Sequence, residues 1–231
     1  MIPLIVVRPQ PGAATTLAAA LELGLPAAAF PLFEVHSTAW SPVSRTEVDA
    51  VLLGSANALR LGGRWLDELR GLPAYCVGET TAKAAESAGF PIARVGRGGL
   101  QQVVDQVEPR HRRLLRLAAA AHVPLSPPHH VELTTRIVYE AAALPMPIEM
   151  AAMLRSRCVV MLHSGEAARH LAALCDEAGI DRATIALATI GPRVAQLAGD
   201  GWLQVRSAAS AGDAALLALA AQMCQDLAEA P

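Results

Sequence analysis

Along the chain, short runs that are apolar at consecutive positions alternate with longer Ala- and Leu-rich stretches in which polar residues return with helical period. The apolar runs are "PLIVV", "AAAFPLF", "DAVLLGS", "PAYCVG", "RRLLRLA", "TTRIVYE", "RCVVMLHS", "IALATIG" and "WLQVRS". The helical stretches fall at about 13–23, 56–70, 79–88, 99–107, 148–155, 165–178, 192–199 and 211–228. A strand that is apolar on both faces must be covered on both. Such strands set between helices predict an α/β fold with parallel sheets and helices on each side.

The pattern repeats. "DAVLLGSANALRLG" (Asp49 to Gly62) resembles "RCVVMLHSGEAARHL" (Arg157 to Leu171): an apolar strand, a Ser, then an Ala-rich helix. Further on, "CVGETTAKAAESAGF" matches "TIGPRVAQLAGDGW", with Gly78 opposite Gly191, Ala82 opposite Ala195 and Gly89 opposite Gly201. The offset stays near ~110 residues, which predicts two α/β units of similar plan, each with a Ser corner and a Gly corner on one rim. Two segments interrupt the pattern, "EVHSTAWSPVSR" and "YEAAALPMPIEM", the second with two prolines that a central strand does not accept. Read as crossings, they make residues 36–40 and 139–147 a two-segment linker. Residues 41–138 are then a domain inserted into one formed by 1–35 and 148–231.

The 231 residues suit one large domain or two small ones, and 53% apolar content allows a sizeable core. Ala supplies much of that fraction, so many small-faced helices are expected. A net charge of −2 offers no general attraction to nucleic acid or an anionic membrane, so an anionic ligand needs local groups. "MIPLIVV" meets Arg8-Pro9 too early for a signal or a span, and no longer run qualifies. The expectation is a soluble cytoplasmic protein. Cys76, Cys158, Cys175 and Cys224 show no metal or disulfide spacing and read as buried core thiols.

At the carboxyl ends of parallel strands, helix N-termini present unpaired N–H groups and a partial positive charge, which suit carboxylates or phosphates. Ser55, Gly78, Ser164 and Gly191 are placed at four such corners, and four corners facing one gap read as a cleft for a large polyanion. The alternative for each corner is plain capping and tight turning. Arg8 ends the first strand at the same rim and can bind an anion or pair with a carboxylate. "VGRGGL" lacks the third Gly in register for a dinucleotide loop. Neither Ser lies in G-x-S-x-G, and no triad is readable. His163 beside Ser164 reads as a capping residue before a base, and His129 and His130 as loop residues before metal ligands. Tyr139 is either an interfacial tyrosine or a proton donor.

In this order and spacing the motifs resemble the uroporphyrinogen-III synthase family over essentially the whole chain. They are the strand ending in Arg8-Pro9, "SANAL", "VGETTAKAAESAG", "IVYEA", "VVMLHSGEAARHL" and "IGPRVAQLAGDGW". The resemblance implies two α/β domains joined by a two-stranded linker, with the N-terminal strands completing the C-terminal domain. It also implies a lyase that needs no cofactor or metal. The substrate is hydroxymethylbilane, a linear tetrapyrrole with eight carboxylates. Loss of its hydroxyl gives an azafulvene, the terminal ring attacks through its substituted carbon, and a spiro intermediate reopens and recloses to uroporphyrinogen III. Unassisted closure gives the symmetrical I isomer, so the main task is to hold the chain folded correctly.

By the same resemblance Tyr139 is the expected general acid. Arg8, Ser55, Ala56, Asn57, Gly78, Ser164, Gly165, Gly191 and Arg193 are the expected substrate-binding residues. No nucleic acid or membrane partner is implied. A monomer is expected, with a transient contact with the preceding pathway enzyme left open. The sequence departs from the family where Gly54 replaces a Thr, and where Arg193 and Val194 replace a Thr pair. It departs again at "LAAAAHVPLSPPHH", whose prolines allow little helix. Arg193 is either a stronger anion ligand or a solvated helix residue. The altered segment motivates an alternative, a catalytically weakened tetrapyrrole-binding or regulatory module of the same fold. A two-lobed sensor for another small anion is a further one.

Overall fold

The computed structural model describes residues 1–96, 99–210 and 212–229. Arg97 and Gly98 of the "VGRGGL" pattern and Ala211, the first residue of the last expected helix, lie outside the described residues. The chain opens with β1 (Leu4–Val6), α1 (Gly12–Glu22) and β2 (Ala27–Ala29), then runs through β3 (Phe33–Ser37) and β4 (Ala50–Leu53). Next come α2 (Asn57–Leu61), α3 (Leu66–Leu69), β5 (Ala74–Val77), α4 (Glu79–Ser87), β6 (Ile92–Gly96), α5 (Leu100–Val104) and β7 (Arg113–Ala119). The long β8 (Glu132–Ala143) leads to α6 (Ile148–Leu154), β9 (Cys158–Leu162), α7 (Gly165–Glu177), β10 (Ile185–Thr189), α8 (Pro192–Ala198), β11 (Gln204–Ser207) and α9 (Asp213–Glu229).

The strands form two sheets, ordered β11-β10-β9-β1-β2 and β3-β8-β7-β4-β5-β6. Contacts divide the chain into Met1–Glu34 with Ala142–Pro231, and Val35–Ala141. In the first unit every pairing is parallel. Strands β1, β9 and β10 are buried at every position, and successive side chains serve opposite cores. Ile5, Val160, Leu162, Ile185 and Leu187 meet Leu171, Leu174 and Cys175 of α7 on one face. Leu4, Val6, Val159, Met161 and Ala188 meet Leu216, Ala220 and Met223 of α9 on the other. The two-sided burial explains why these strands read as unbroken apolar runs.

The second unit follows the same rule around β4, β5 and β7. Val51, Leu53, Cys76, Leu115 and Leu117 face one core; Ala50, Leu52, Tyr75 and Leu114 face the other. Its helices are shorter. The single helix expected over 56–70 is two, because Gly62 and Gly63 interrupt it, Gly63 with φ 69. β6 was not legible, since Pro91 and Arg94 dilute its pattern. "AAAFPLF" is divided at Pro31, its halves joining different sheets as β2 and β3. The segments read as linkers overlap β3 and the carboxyl end of β8, which are neighbours in the second sheet. Residues 120–131 join parallel β7 and β8 without a helix. All four cysteines are buried, and burial lifts the Cys158 thiol to about 12 and Cys76 to about 11, so they are packing groups.

Leu115, fully buried in the middle of β7, is a direct test of this packing. Leu115→Ala should lower unfolding stability by about 2–5 kcal/mol in urea titration, through lost burial and the cavity left behind.

Candidate active site

In the first unit β9 and β10 run side by side with Leu162 opposite Thr189, so the Ser164 and Gly191 corners adjoin at the carboxyl ends of their strands. Ser164 is extended and caps α7, its Oγ accepting from the Ala167 N–H at 3.2 Å. A hydroxyl used this way still has its own proton to donate. A Cβ on Gly165 would collide with the Leu197 side chain of α8, so close helix packing accounts for this glycine. Gly191 differs. Its φ of 178 is ordinary extended backbone, and a Cβ there would meet nothing within 4 Å. Neither backbone conformation nor crowding calls for a glycine at 191. Arg193 is exposed in the first turn of α8.

In the second unit β4 and β5 adjoin in the same manner, bringing Ser55 and Gly78 to neighbouring corners. Ser55 Oγ accepts from the Asn57 N–H at 3.2 Å, and Asn57 Oδ1 accepts from Arg60 at 3.2 Å. Ala56 is buried, so its side chain faces the core and only its backbone is available to a ligand. Gly78 has φ 76, which requires glycine, and leads into α4, whose first-turn N–H groups have no partner within the helix. Tyr139 lies on β8 opposite Ala119, just past an irregularity in the register with β7. Such a bulge re-aims the side chain. The ring is half-buried against the cluster around Val51 and Leu53.

Arg8 is held by a network that sequence reading missed. Its Nη1 donates to Asp213 Oδ1 at 2.8 Å and to Thr16 Oγ1 at 3.2 Å. Thr16 donates to Asp213 Oδ2 at 2.9 Å, and His163 Nε2 lies 2.6 Å from Asp213 Oδ1. Gly12 makes room for the guanidinium, since a Cβ there would stand 2.5 Å from Arg8 Nε. Asp213 opens α9, where the helix dipole also favours a carboxylate. Burial works to raise the Asp213 carboxyl, but the hydrogen bonds from His163 and Thr16 and the Arg8 charge outweigh it and hold it below its ordinary value. Burial lowers His163 more than the Asp213 hydrogen bond raises it, so the imidazole is a neutral donor rather than a cation. Among the described residues its Nδ1 is then a buried acceptor with no partner. The only advance sign of this network was an Asp just before an apolar helical run, a capping pattern.

At the opposite end of the same unit a cavity of about 220 Å³ is lined by Met1, Leu25 and Cys224 among others. It contains none of the corner residues. Among the described residues no group of three His, Cys, Asp or Glu side chains is placed to hold a metal ion, and no helix is long and apolar enough to cross a membrane.

Two α/β units, each with a serine and a glycine corner on adjoining parallel strands, define a class of two-unit α/β proteins that present hydroxyl and backbone donors at their strand ends. The family model of uroporphyrinogen-III synthase HemD matches residues 15–218, so the chain belongs to the uroporphyrinogen-III synthase family. No curated protein matches the sequence. Among solved structures, the uroporphyrinogen-III synthetase of Helicobacter pylori aligns at TM-score 0.67 with 18% identity, over 96% of this chain and 100% of that one. A mutant uroporphyrinogen III synthase of the extremely thermophilic bacterium Thermus thermophilus aligns at TM-score 0.56 with 15% identity, over 98% and 100%. At these identities the structural likeness speaks to the fold.

A histidine kept neutral by burial favours the folded state while it is uncharged. With His163 lowered from 6.5, its contribution is complete above about pH 6.5 and is lost as the pH falls below that. Denaturation followed from pH 8 to pH 5 should show stability declining through this range. His163→Gln should flatten the decline, and an unchanged slope would rule His163 out as its source.

Proposed function

We propose that this chain dehydrates and cyclises hydroxymethylbilane with inversion of the last ring, releasing uroporphyrinogen III as a lyase. The observation that carries the reading is the match to the synthase family over residues 15–218, and the Ser and Gly corners at the carboxyl ends of adjoining parallel strands support it. The substrate brings its own electron source, since its pyrrole nitrogens expel the hydroxyl. What the protein must add is orientation and one proton.

In this reading Ser55, the backbone at Ala56 and Asn57, and the Gly78 corner hold carboxylates at the rim of the second unit. Ser164, Gly165, Gly191 and Arg193 hold them at the rim of the first. The hydroxyl protons of Ser55 and Ser164 remain for donation because each oxygen is used as an acceptor. Gly191 supports the reading most directly, because its bare backbone has no internal explanation. Arg8 is the least suited of these residues: its Nη1 is taken by Asp213 and Thr16 and the Asp213 carboxylate offsets its charge, so it contributes mainly to holding the rim.

Tyr139 gives its phenolic proton to the departing hydroxyl, which leaves as water. It recovers a proton when the reclosed ring regains aromaticity. The reading entails a monomeric, cytoplasmic enzyme, and sedimentation of the pure protein checks the first point.

The pure protein should convert freshly made hydroxymethylbilane to a product rich in isomer III. A mixture no richer in III than the buffer control rejects the synthase. Tyr139→Phe should lower kcat by about 10²-fold or more while leaving the fold intact, and an unchanged kcat removes Tyr139 from the chemistry.

A further inference from the structure

Donors from three elements of the first unit end on one carboxylate. Asp213 Oδ1 accepts from Arg8 Nη1 at 2.8 Å and from His163 Nε2 at 2.6 Å, and Oδ2 accepts from the Thr16 hydroxyl at 2.9 Å. A carboxylate only accepts, so Nε2 is the protonated nitrogen of His163. Thr16 is fully buried, and the His163 side chain is 11% exposed. The donors follow β1, sit in α1 and follow β9, and β1 and β9 are paired neighbours. An apolar cluster would join these elements without the cost of burying charge. What the carboxylate adds is direction, since each bond fixes where its donor points.

His163 is the residue at which that direction matters. It lies between Leu162, the last of β9, and Ser164, the cap of α7. The Leu162 carbonyl belongs to the peptide that enters His163, and it accepts the Ile190 N–H at 3.0 Å, one residue before Gly191. The peptide that leaves His163 carries the Ser164 N–H. Both corners of this unit are therefore attached to the two peptides that flank one imidazole. Successive residues point to opposite faces of a sheet. The imidazole accordingly meets α9 while Ser164 caps α7, and the coupling between them runs through the backbone rather than through side-chain contact. A rotation of His163 would shift the Ser164 hydroxyl and the Gly191 backbone together.

We propose that Asp213 is a positioning residue for the reaction: by anchoring His163 it sets the placing of the Ser164 and Gly191 donors that receive a carboxylate of the tetrapyrrole. The proposal rests on the synthase reading above. Thr16 and Arg8 keep the Asp213 carboxylate aimed at His163, and Arg8 also offsets its charge.

The test is a double-mutant cycle read by fluorescence titration of uroporphyrin III, an octacarboxylate, at pH 8, with circular dichroism to confirm that each variant is folded. Asp213→Ala should bind the probe about 10-fold more weakly and raise KM for hydroxymethylbilane by a similar factor, at nearly unchanged kcat. Asp213→Asn, whose Oδ1 still accepts from His163, should stay within about threefold of wild type. In a Ser164→Ala background the Asp213→Ala loss should shrink to about threefold or less, whereas in a Ser55→Ala background, in the other unit, it should keep its full size. A loss of the same size in both backgrounds marks a general effect on the fold and overturns the proposal. So does unchanged affinity in Asp213→Ala, or an Asp213→Asn as weak as Asp213→Ala. If Asp213→Ala does not fold, His163→Leu, which cuts only the link from Asp213 to the corners, takes its place in the cycle with the same expectations. A wild type whose product is no richer in isomer III than the buffer control overturns the functional reading and this proposal with it. An active wild type with an additive cycle overturns the proposal alone.

Discussion

The structure depends on the two-sided burial of its parallel strands. In β1, β9 and β10 each successive side chain enters one of two cores, packed against α7 on one face and α9 on the other. Such a strand has almost no position for a polar side chain along its length, so polar chemistry is displaced to its carboxyl end. There the helix that follows begins, with unpaired N–H groups and a cap residue. The Ser and Gly corners are the product of this displacement in both units. Among the described residues Arg116 in β7 is a buried charged side chain in mid-strand, an exception to this rule.

The same constraint explains what could be read in advance. Runs such as "CVVML" and "IALAT" are apolar throughout because both faces are covered, and they were legible as parallel strands. The matched corners near Ser55 and Ser164 were legible because the Ser after an apolar run and the helix after the Ser are both local signals. β6 was not, because an edge strand needs few apolar residues and "PIARVG" has a Pro and an Arg. The break between α2 and α3 turns on Gly62 and Gly63, which a helical pattern tolerates in sequence but not in this fold.

Of the candidate site, its corners were visible and its electrostatics were not. Arg8, at a strand end, could be read either as an anion ligand or as the partner of a carboxylate. Its partner is 205 residues away at the start of α9, and a pairing at that separation leaves no trace in a local pattern. The Asp213 network also accounts for His163. Burial keeps the imidazole neutral, and a neutral imidazole bonded to a carboxylate holds the end of β9 in place beside Ser164. The hydrogen bonds therefore tie His163 and Arg8 together through Asp213, whereas the hydroxyls of Ser55 and Ser164 keep their own protons to donate.

The pairing of β1 with β9, Leu4 against Val159, also bears on how the chain is made. The unit Val35–Ala141 is contiguous and can fold on the ribosome once it has emerged. The opening strand and helix must wait, apolar faces uncovered, until their central partner has been translated more than a hundred residues later. Until then that segment, unlike the contiguous unit, has apolar residues with no sheet neighbour on the β9 side.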